Sequence, residues 1–422
     1  MEQRERPLRQ CTRWFDILST RFPALSRAET RTLALWSFAA TITQHIGSTT
    51  CAGFLAQLFE QPLGNFRQRL REFYWGAEQK RGSGRCALNV EMCFAPLLRW
   101  VLALRQSKSG SNGGSGALAL ALDATLIRDR LAVLSVSVVF RGSAIPVAWA
   151  IRRAGAQGSW VALCRRLFGS LAEAVPTRQK VLVLTDRGLE SRRIFAAITD
   201  RGWHPMMRLT RRGTWREAGT ARWRALAGLL SGPGRYYLGK GHLFKTDPFA
   251  CTLLALWEED HEEPWLLMTD LSPARCRSQG MSAACYGLRS WIEQGFRCLK
   301  GGAYHYQRTR ITDPARAERV WLVMAVSLVW THALGGDTSG NTGAEPTAAP
   351  SSEPTESNLI GIFKVGMRRV LGVHRSGWIK LLVAALRGED LPLPERLVYA
   401  PLPTVPPGLT LMSTLLGPNP PP

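Results

Sequence analysis

The chain has 422 residues, 45% of them hydrophobic, enough apolar surface to offset the entropy of ordering and to exclude a wholly disordered polymer. Lys and Arg number 54 against 32 Asp and Glu, a formal net charge of +22, which points to nucleic acid ahead of an anionic membrane surface. No run is long enough to span a bilayer, since the longest apolar stretch is Val320 to Trp330; no apolar segment follows Met1–Arg6 to make a secretory signal; and the nine cysteines lack any C-x-x-C pair, which fits reduced thiols in a cytosol rather than a zinc ribbon or disulfide scaffold.

The first unit, 1–106, reads as helical. Ser26 and Glu29 form a capping box before a run through Leu33, Leu35, Trp36, Ile42 and Ile46. A second helix is predicted over Phe66 to Trp75, carrying Arg67, Arg69 and Arg71 among Leu70, Phe73 and Tyr74. That basic face is either a solvated surface or a DNA contact. A Gly/Ser tether at 107–116 follows.

The central unit, 117–334, opens on strands. Ala117 to Asp123 alternates with period two and ends on a carboxylate. Leu131 to Phe140 and Ala144 to Ile151 read as further strands joined by a turn at Arg141–Ser143. A helix at Trp160 to Leu171, a buried strand at Lys180 to Asp186, a helix at Ser191 to Asp200 and a strand near Met206 to Leu209 come next. Such an order builds a mixed α/β sheet. From about 210 to 284 the pattern turns β-rich and begins basic: residues 201–245 hold ten Lys/Arg and only Glu217 as an acid. The apolar runs Phe249 to Trp257 and Trp265 to Met268 flank an acidic turn, Glu258 to Glu263. A second flexible linker is predicted at 335–357, and the remainder, 358–422, reads as a basic amphipathic segment (Gly361 to Leu382) and an irregular Pro-rich end from Pro401.

The sharpest pattern is Tyr286-x2-Arg289-x3-Glu293-x6-Lys300. On one α-helix these positions share a stripe about 60° wide, with Arg297 at its edge. Cys285, Leu288, Ile292, Phe296 and Leu299 form the adjacent apolar stripe. Taken alone, this is equally an amphipathic helix whose Glu293 pairs with Arg289 or Arg297 at i,i+4 spacing. Two strand-borne carboxylates, Asp123 and Asp186, change the weighing. With Glu293 they make three hard oxygen ligands of the kind that hold Mg²⁺ or Mn²⁺, and two such ions can serve phosphodiester chemistry. Turn chemistry at Asp186-Arg187-Gly188 and local hydrogen bonding at Asp123 are the plainer readings.

These residues together resemble the DDE transposases of bacterial insertion sequences: Asp123 in Leu122-Asp123-Ala124-Thr125, Asp186 in Thr185-Asp186-Arg187-Gly188, and the Tyr-Arg-Glu-Lys element. The resemblance is to the group with that signature, which includes the Tn-five-type enzymes. It covers about 117–334 well and the N-terminal unit loosely. It implies an RNase H-like mixed-sheet core with a β-rich insertion, preceded by a helical DNA-binding domain. It also implies Asp123, Asp186 and Glu293 as catalytic and metal-holding groups, with two Mg²⁺ or Mn²⁺ ions. By the same resemblance Tyr286, Arg289 and Lys300 contact DNA phosphates, and a Trp late in the insertion, best placed at Trp265, stacks on a flipped base while a hairpin forms. Trp265 as a core aromatic is the competing reading, and Trp257 and Trp215 compete for the role. Arg297, and Arg211 and Arg212 in the basic stretch, are further DNA-binding candidates.

The expected activity is metal-dependent cleavage at transposon ends and strand transfer to target DNA, cut-and-paste through a hairpin. The expected partners are double-stranded DNA (terminal inverted repeats and target) and a second copy in a homodimer, in a bacterial, nucleoid-associated, cytoplasmic setting without a membrane. A DNA-binding regulator without cutting, and an RNase H-like nuclease without joining, are the alternatives. Glu190 is a weaker ligand candidate and Asp270 reads as a strand-end turn residue. The seven histidines show no metal spacing, and no phosphate-binding glycine loop follows a strand.

Overall fold

The computed structural model describes residues 2–80, 85–104, 117–140, 142–259, 261–278, 283–335, 372–387, 389–395, 397 and 410–411. The tether at 107–116, most of the 335–357 linker, Arg141 of the predicted turn and nearly all of the Pro-rich end lie outside the described residues.

Five helices form the N-terminal unit: α1 (Glu2–Arg21), α2 (Arg27–Thr43), α3 (Ser48–Phe59), α4 (Leu63–Tyr74) and α5 (Phe94–Ala103). The capping box starts α2: the Glu29 carboxylate accepts the Ser26 N–H at 2.9 Å and the Ser26 hydroxyl accepts the Glu29 N–H at 3.3 Å. The helix stops at Thr43, short of Ile46, because Gln44 turns left-handed with φ of 51°. Ile46 is then held as loop: its carbonyl accepts the Trp36 indole N–H at 3.1 Å.

The central unit is a mixed sheet built from β1 (Leu118–Ile127), β2 (Leu131–Phe140), β3 (Ser143–Arg153), β4 (Val181–Thr185) and β5 (His204–Arg208). Their order in the sheet is β3-β2-β1-β4-β5. β2 lies antiparallel to both β3 and β1, while β1, β4 and β5 run parallel. Helices α6 (Val161–Ala172) and α7 (Arg192–Thr199) make the crossovers that parallel strands require. The N-terminal helices followed by this mixed α/β sheet agree with the expected class and are consistent with an RNase H-like core. The predicted strand end at Asp123 is corrected: β1 runs on to Ile127, because beyond Leu122 it keeps pairing with β2 after β4 has stopped.

The insertion supplies β6 (Thr214–Glu217), β7 (Arg224–Ala225), β8 (Arg235–Leu243), β9 (Phe249–Trp257) and β10 (Trp265–Thr269). These strands extend the core sheet, because β10 pairs antiparallel with β5 and the order continues β10-β9-β8-β6-β7. A short β11 (Thr410–Leu411) adds to β8. The short helix α8 (Pro273–Ser278) follows the insertion strands.

Helix α10 (Pro314–Gly335) joins the two units. From Val320 onward it is buried on every side, as an all-round apolar helix must be. Trp330 stacks on Trp14 of α1 with centroids 4.1 Å apart. The Arg319 guanidinium donates to the carbonyls of Tyr74 (2.8 Å) and Leu88 (3.1 Å) in the N-terminal unit. Helix α11 (Gly372–Leu386) crosses α10 at two glycines, Gly335 and Gly377, where any Cβ would run into the other helix's backbone. His374 of α11 bridges the Thr331 hydroxyl (2.8 Å) and the Gln44 side chain (2.9 Å). Eight of the nine cysteines are buried, none forms a disulfide, and Cys86 alone is exposed. Among the described residues no helix is long and apolar enough to cross a membrane.

Candidate active site

The parallel register between β1 and β4 ends at the pair Leu122 and Thr185. The next residues are Asp123, still within β1, and Asp186, just past the end of β4, so their carboxylates emerge at the carboxyl end of the parallel ladder, where open α/β sheets place their ligands. The third carboxylate arrives on α9 (Trp291–Arg297), which packs across β3 at Gly295. A Cβ on Gly295 would stand 2.6 Å from the Ala144 carbonyl oxygen; the bare glycine lets α9 lie close enough to the sheet for Glu293 to reach the two aspartates' neighbourhood.

The expected single α-helix is corrected here. Tyr286 and Arg289 sit in a 3₁₀ segment (Ala283–Ser290), Glu293 and Arg297 in α9, and Lys300 in a π-helical segment (Cys298–Gly302). Gly287, Gly301 and Gly302 weaken the α form at both ends, and π turns recur at functional sites. The stripe is therefore assembled from three windings.

Arg289 stands at the centre. Its Nη2 donates to Asp123 Oδ2 at 2.7 Å and lies 3.4 Å from Asp186 Oδ2; its Nη1 donates to Glu293 Oε1 at 2.7 Å. Burial works against the guanidinium charge, but Asp123, Asp186, Tyr286 and Glu293 outweigh it and raise its pKa. Burial pushes the Asp123 carboxyl up to about 6, against the pull of Arg289 and the Ala124 N–H. The sequence's i,i+4 pair between Arg289 and Glu293 thus exists, and it also reaches both strand aspartates. The three carboxylates open onto a cleft of about 840 Å³ whose cationic wall is Arg297, Lys300 and Arg308. Lys300 is steered by a hydrogen bond to the Thr125 hydroxyl at 2.9 Å.

The remaining candidates fall in different places. Tyr286 is buried outside the cleft, its hydroxyl 3.4 Å from Asp186 Oδ1. Trp265 is partly exposed, edge-on to Tyr286 at 5.5 Å. Trp215 is fully buried against Tyr237, and the Trp257 indole donates to the His261 carbonyl. Arg211 and Arg212 are exposed on the insertion and do not line the cleft. Glu190 accepts the Thr210 N–H at 2.7 Å, and Asp270 pairs with His204 at 2.9 Å. Sequence reasoning missed Thr125, His305 and Arg308 on the cleft wall. Only Thr125 carried a signal, being two residues beyond Asp123 on the same strand face.

Residues 165–330 match the family model described as a transposase DDE domain. The match takes in Asp186 and the Tyr-Arg-Glu-Lys element, while Asp123 lies upstream of it. A DDE domain is a polynucleotidyl transferase and implies transposase function and DNA binding. Among curated proteins, none is similar enough to the chain to count as a match.

DDE domains generally use divalent metal ions. Among the described residues no three acid, His or Cys side chains stand close enough to share one ion, because the Arg289 guanidinium separates the three carboxylates. The donor set nevertheless fits: three carboxylates, hard oxygen donors, already converge on one cationic group.

Proposed function

We propose that this protein is a DNA transposase of the group with the Tyr-Arg-Glu-Lys signature, cutting transposon ends and joining them to target DNA through a hairpin. The observation that carries the reading is the gathering of Asp123 with Asp186 and Glu293, the latter two inside the DDE-domain match, around Arg289 at the floor of a basic cleft. Asp123, Asp186 and Glu293 would hold Mg²⁺ or Mn²⁺, which supplies Lewis acidity at the attacking and leaving oxygens when bound. Arg289 keeps the carboxylates oriented. Lys300, fixed by Thr125, and Arg297 and Arg308 hold strand phosphates across the cleft. In the first step water attacks an end phosphodiester, freeing a 3′-hydroxyl and leaving a 5′-phosphate. In the second, that hydroxyl displaces a 3′-oxygen on the opposite strand, closing the hairpin by transesterification. Reopening by water and attack on target DNA repeat the same two bond exchanges. A homodimer bridging both ends completes the proposal.

Incubation with a supercoiled donor plasmid and Mg²⁺ tests the reading. Joined products are expected, lost with chelator and restored by Mg²⁺ or Mn²⁺. Bound but uncut plasmid would make the protein a regulator, and cut but unjoined ends a nuclease.

Trp265 is the proposed stacking partner for the extruded base. Stacking of a base on an aromatic ring is worth about 1–3 kcal/mol, and extrusion costs a few. Its ring is partly exposed beside Tyr286, whose hydroxyl reaches Asp186, unlike buried Trp215. Trp265→Ala should spare the first nick and reduce hairpin yield about tenfold or more, the kinetic equivalent of the lower half of that stacking energy. Nick and hairpin yields on a labelled end, read beside a melting curve, check this. A stable variant with normal hairpin yield would remove Trp265 from the mechanism and move the test to Trp257.

A further inference from the structure

On the insertion side of the carboxylates, one acid is held by two arginines that the cleft does not use. Arg187 Nη2 lies 2.7 Å from Glu263 Oε1, and Arg208 Nη2 reaches the same oxygen at 3.0 Å. Arg187 is the residue after Asp186. Arg208 ends β5, is largely buried, and sits 5.6 Å from the centre of the Tyr286 ring. Glu263 closes the acidic turn between β9 and β10, two residues before Trp265. A single anionic oxygen is therefore gripped by two guanidinium groups within a few residues of Asp186, Tyr286 and Trp265.

We infer that Arg187 and Arg208 form a second phosphate seat and that Glu263 is its resident, displaceable anion. The inference rests on the DNA-transposase reading. Two guanidinium groups converging on one oxygen suit a phosphodiester as well as a carboxylate. Lys300 is bonded to Thr125 of β1, whereas Arg208 ends β5, and β4 with Asp186 after it lies between them in the sheet order, so a strand crossing the carboxylates would meet Lys300 on one side and this seat on the other. With Glu263 in place, the two arginine charges are offset before DNA arrives. Loose contact with any duplex then gains little from them. A strand bent into the site can displace the carboxylate, because Arg208, 15% exposed, is the fixed wall of the seat, while Glu263 at 30% and Arg187 at 42% exposure lie open to an incoming strand. Glu263 thus raises the threshold for binding DNA that does not follow the bend.

The test is equilibrium binding of the full chain to a fluorescein-labelled duplex of random sequence, without divalent metal, over a range of salt. Glu263→Gln keeps the shape and removes the charge. It should bind several-fold tighter at low salt, and its plot of log affinity against log salt should steepen by about one unit per phosphate newly contacted. Glu262→Gln, an exposed acid one residue away, changes the net charge equally and should give a much smaller gain. Adding Arg187→Ala and Arg208→Ala to Glu263→Gln should erase the gain. Equal affinity and slope for wild type and Glu263→Gln would overturn the seat. So would a gain as large from Glu262→Gln, or one that survives loss of both arginines. Failure of wild type and Glu263→Gln alike to bind the duplex would overturn the transposase reading and the seat with it.

Discussion

Alanine at Asp123, Asp186 or Glu293 should each abolish strand cleavage while leaving DNA binding in place. Loss of an outer partner of a metal ligand costs about 10–100-fold, so loss of a ligand itself should cost at least that. Stability and catalysis separate most cleanly at Glu293. Its side chain is 57% exposed and its one ion pair among the described residues is the i,i+4 contact to Arg289, a class worth about 0.3–0.5 kcal/mol. Glu293→Ala should therefore melt close to wild type, and its inactivity could not be blamed on unfolding. Asp123 is different: it is buried, and its removal takes the shortest strand-borne partner from Arg289. Asp123→Asn, which keeps the volume, is the companion variant there. Nicking of a labelled end in Mg²⁺, with binding measured in parallel, decides the matter. Near-normal cleavage by Glu293→Ala would remove it from the site.

Gly377→Val should detach α11 from α10. A Cβ at Gly377 falls on the Thr331 carbonyl oxygen, and the opposing Gly335 is as tightly set against Val373. Neither contact is with a flexible side-chain end, so relief requires the helices to part. Overpacking against side chains costs about 1–3 kcal/mol; a backbone obstacle on a fully buried helix should exceed that. Parting would also break the His374 bridge from Thr331 to Gln44 and the Trp378 hydrogen bond to the Ile42 carbonyl. Limited proteolysis should then cut within 372–386 in the variant and spare it in wild type. Equal protection would mean that the crossing tolerates a side chain.

Much of this protein can be read from residue order alone, and the reasons are local. The Ser26–Glu29 capping box starts α2 because its hydrogen bonds span three residues. The period-two run from Ala117 and the Val/Leu run ending at Thr185 are strands because alternation and β-branching act on neighbours. The Tyr-Arg-Glu-Lys spacing, with Asp123 and Asp186, was enough to expect a DDE transposase, and residues 165–330 match that domain.

Other features depended on distant partners. β1 continues past Asp123 because β2 lies beside it, which no residue within the strand encodes. The motif helix passes through three windings, since glycines weaken it at both ends and Gly295 must touch β3. Arg308 joins the cleft, and Glu263 reaches Arg187 and Arg208, only once the sheet and its insertion are assembled. Residue order by itself determined which elements form, because helices and strands answer to spacing along the chain. Tertiary structure decided which charges meet, because an ion pair depends on distance in space, and here one guanidinium draws together carboxylates from two strands and a helix.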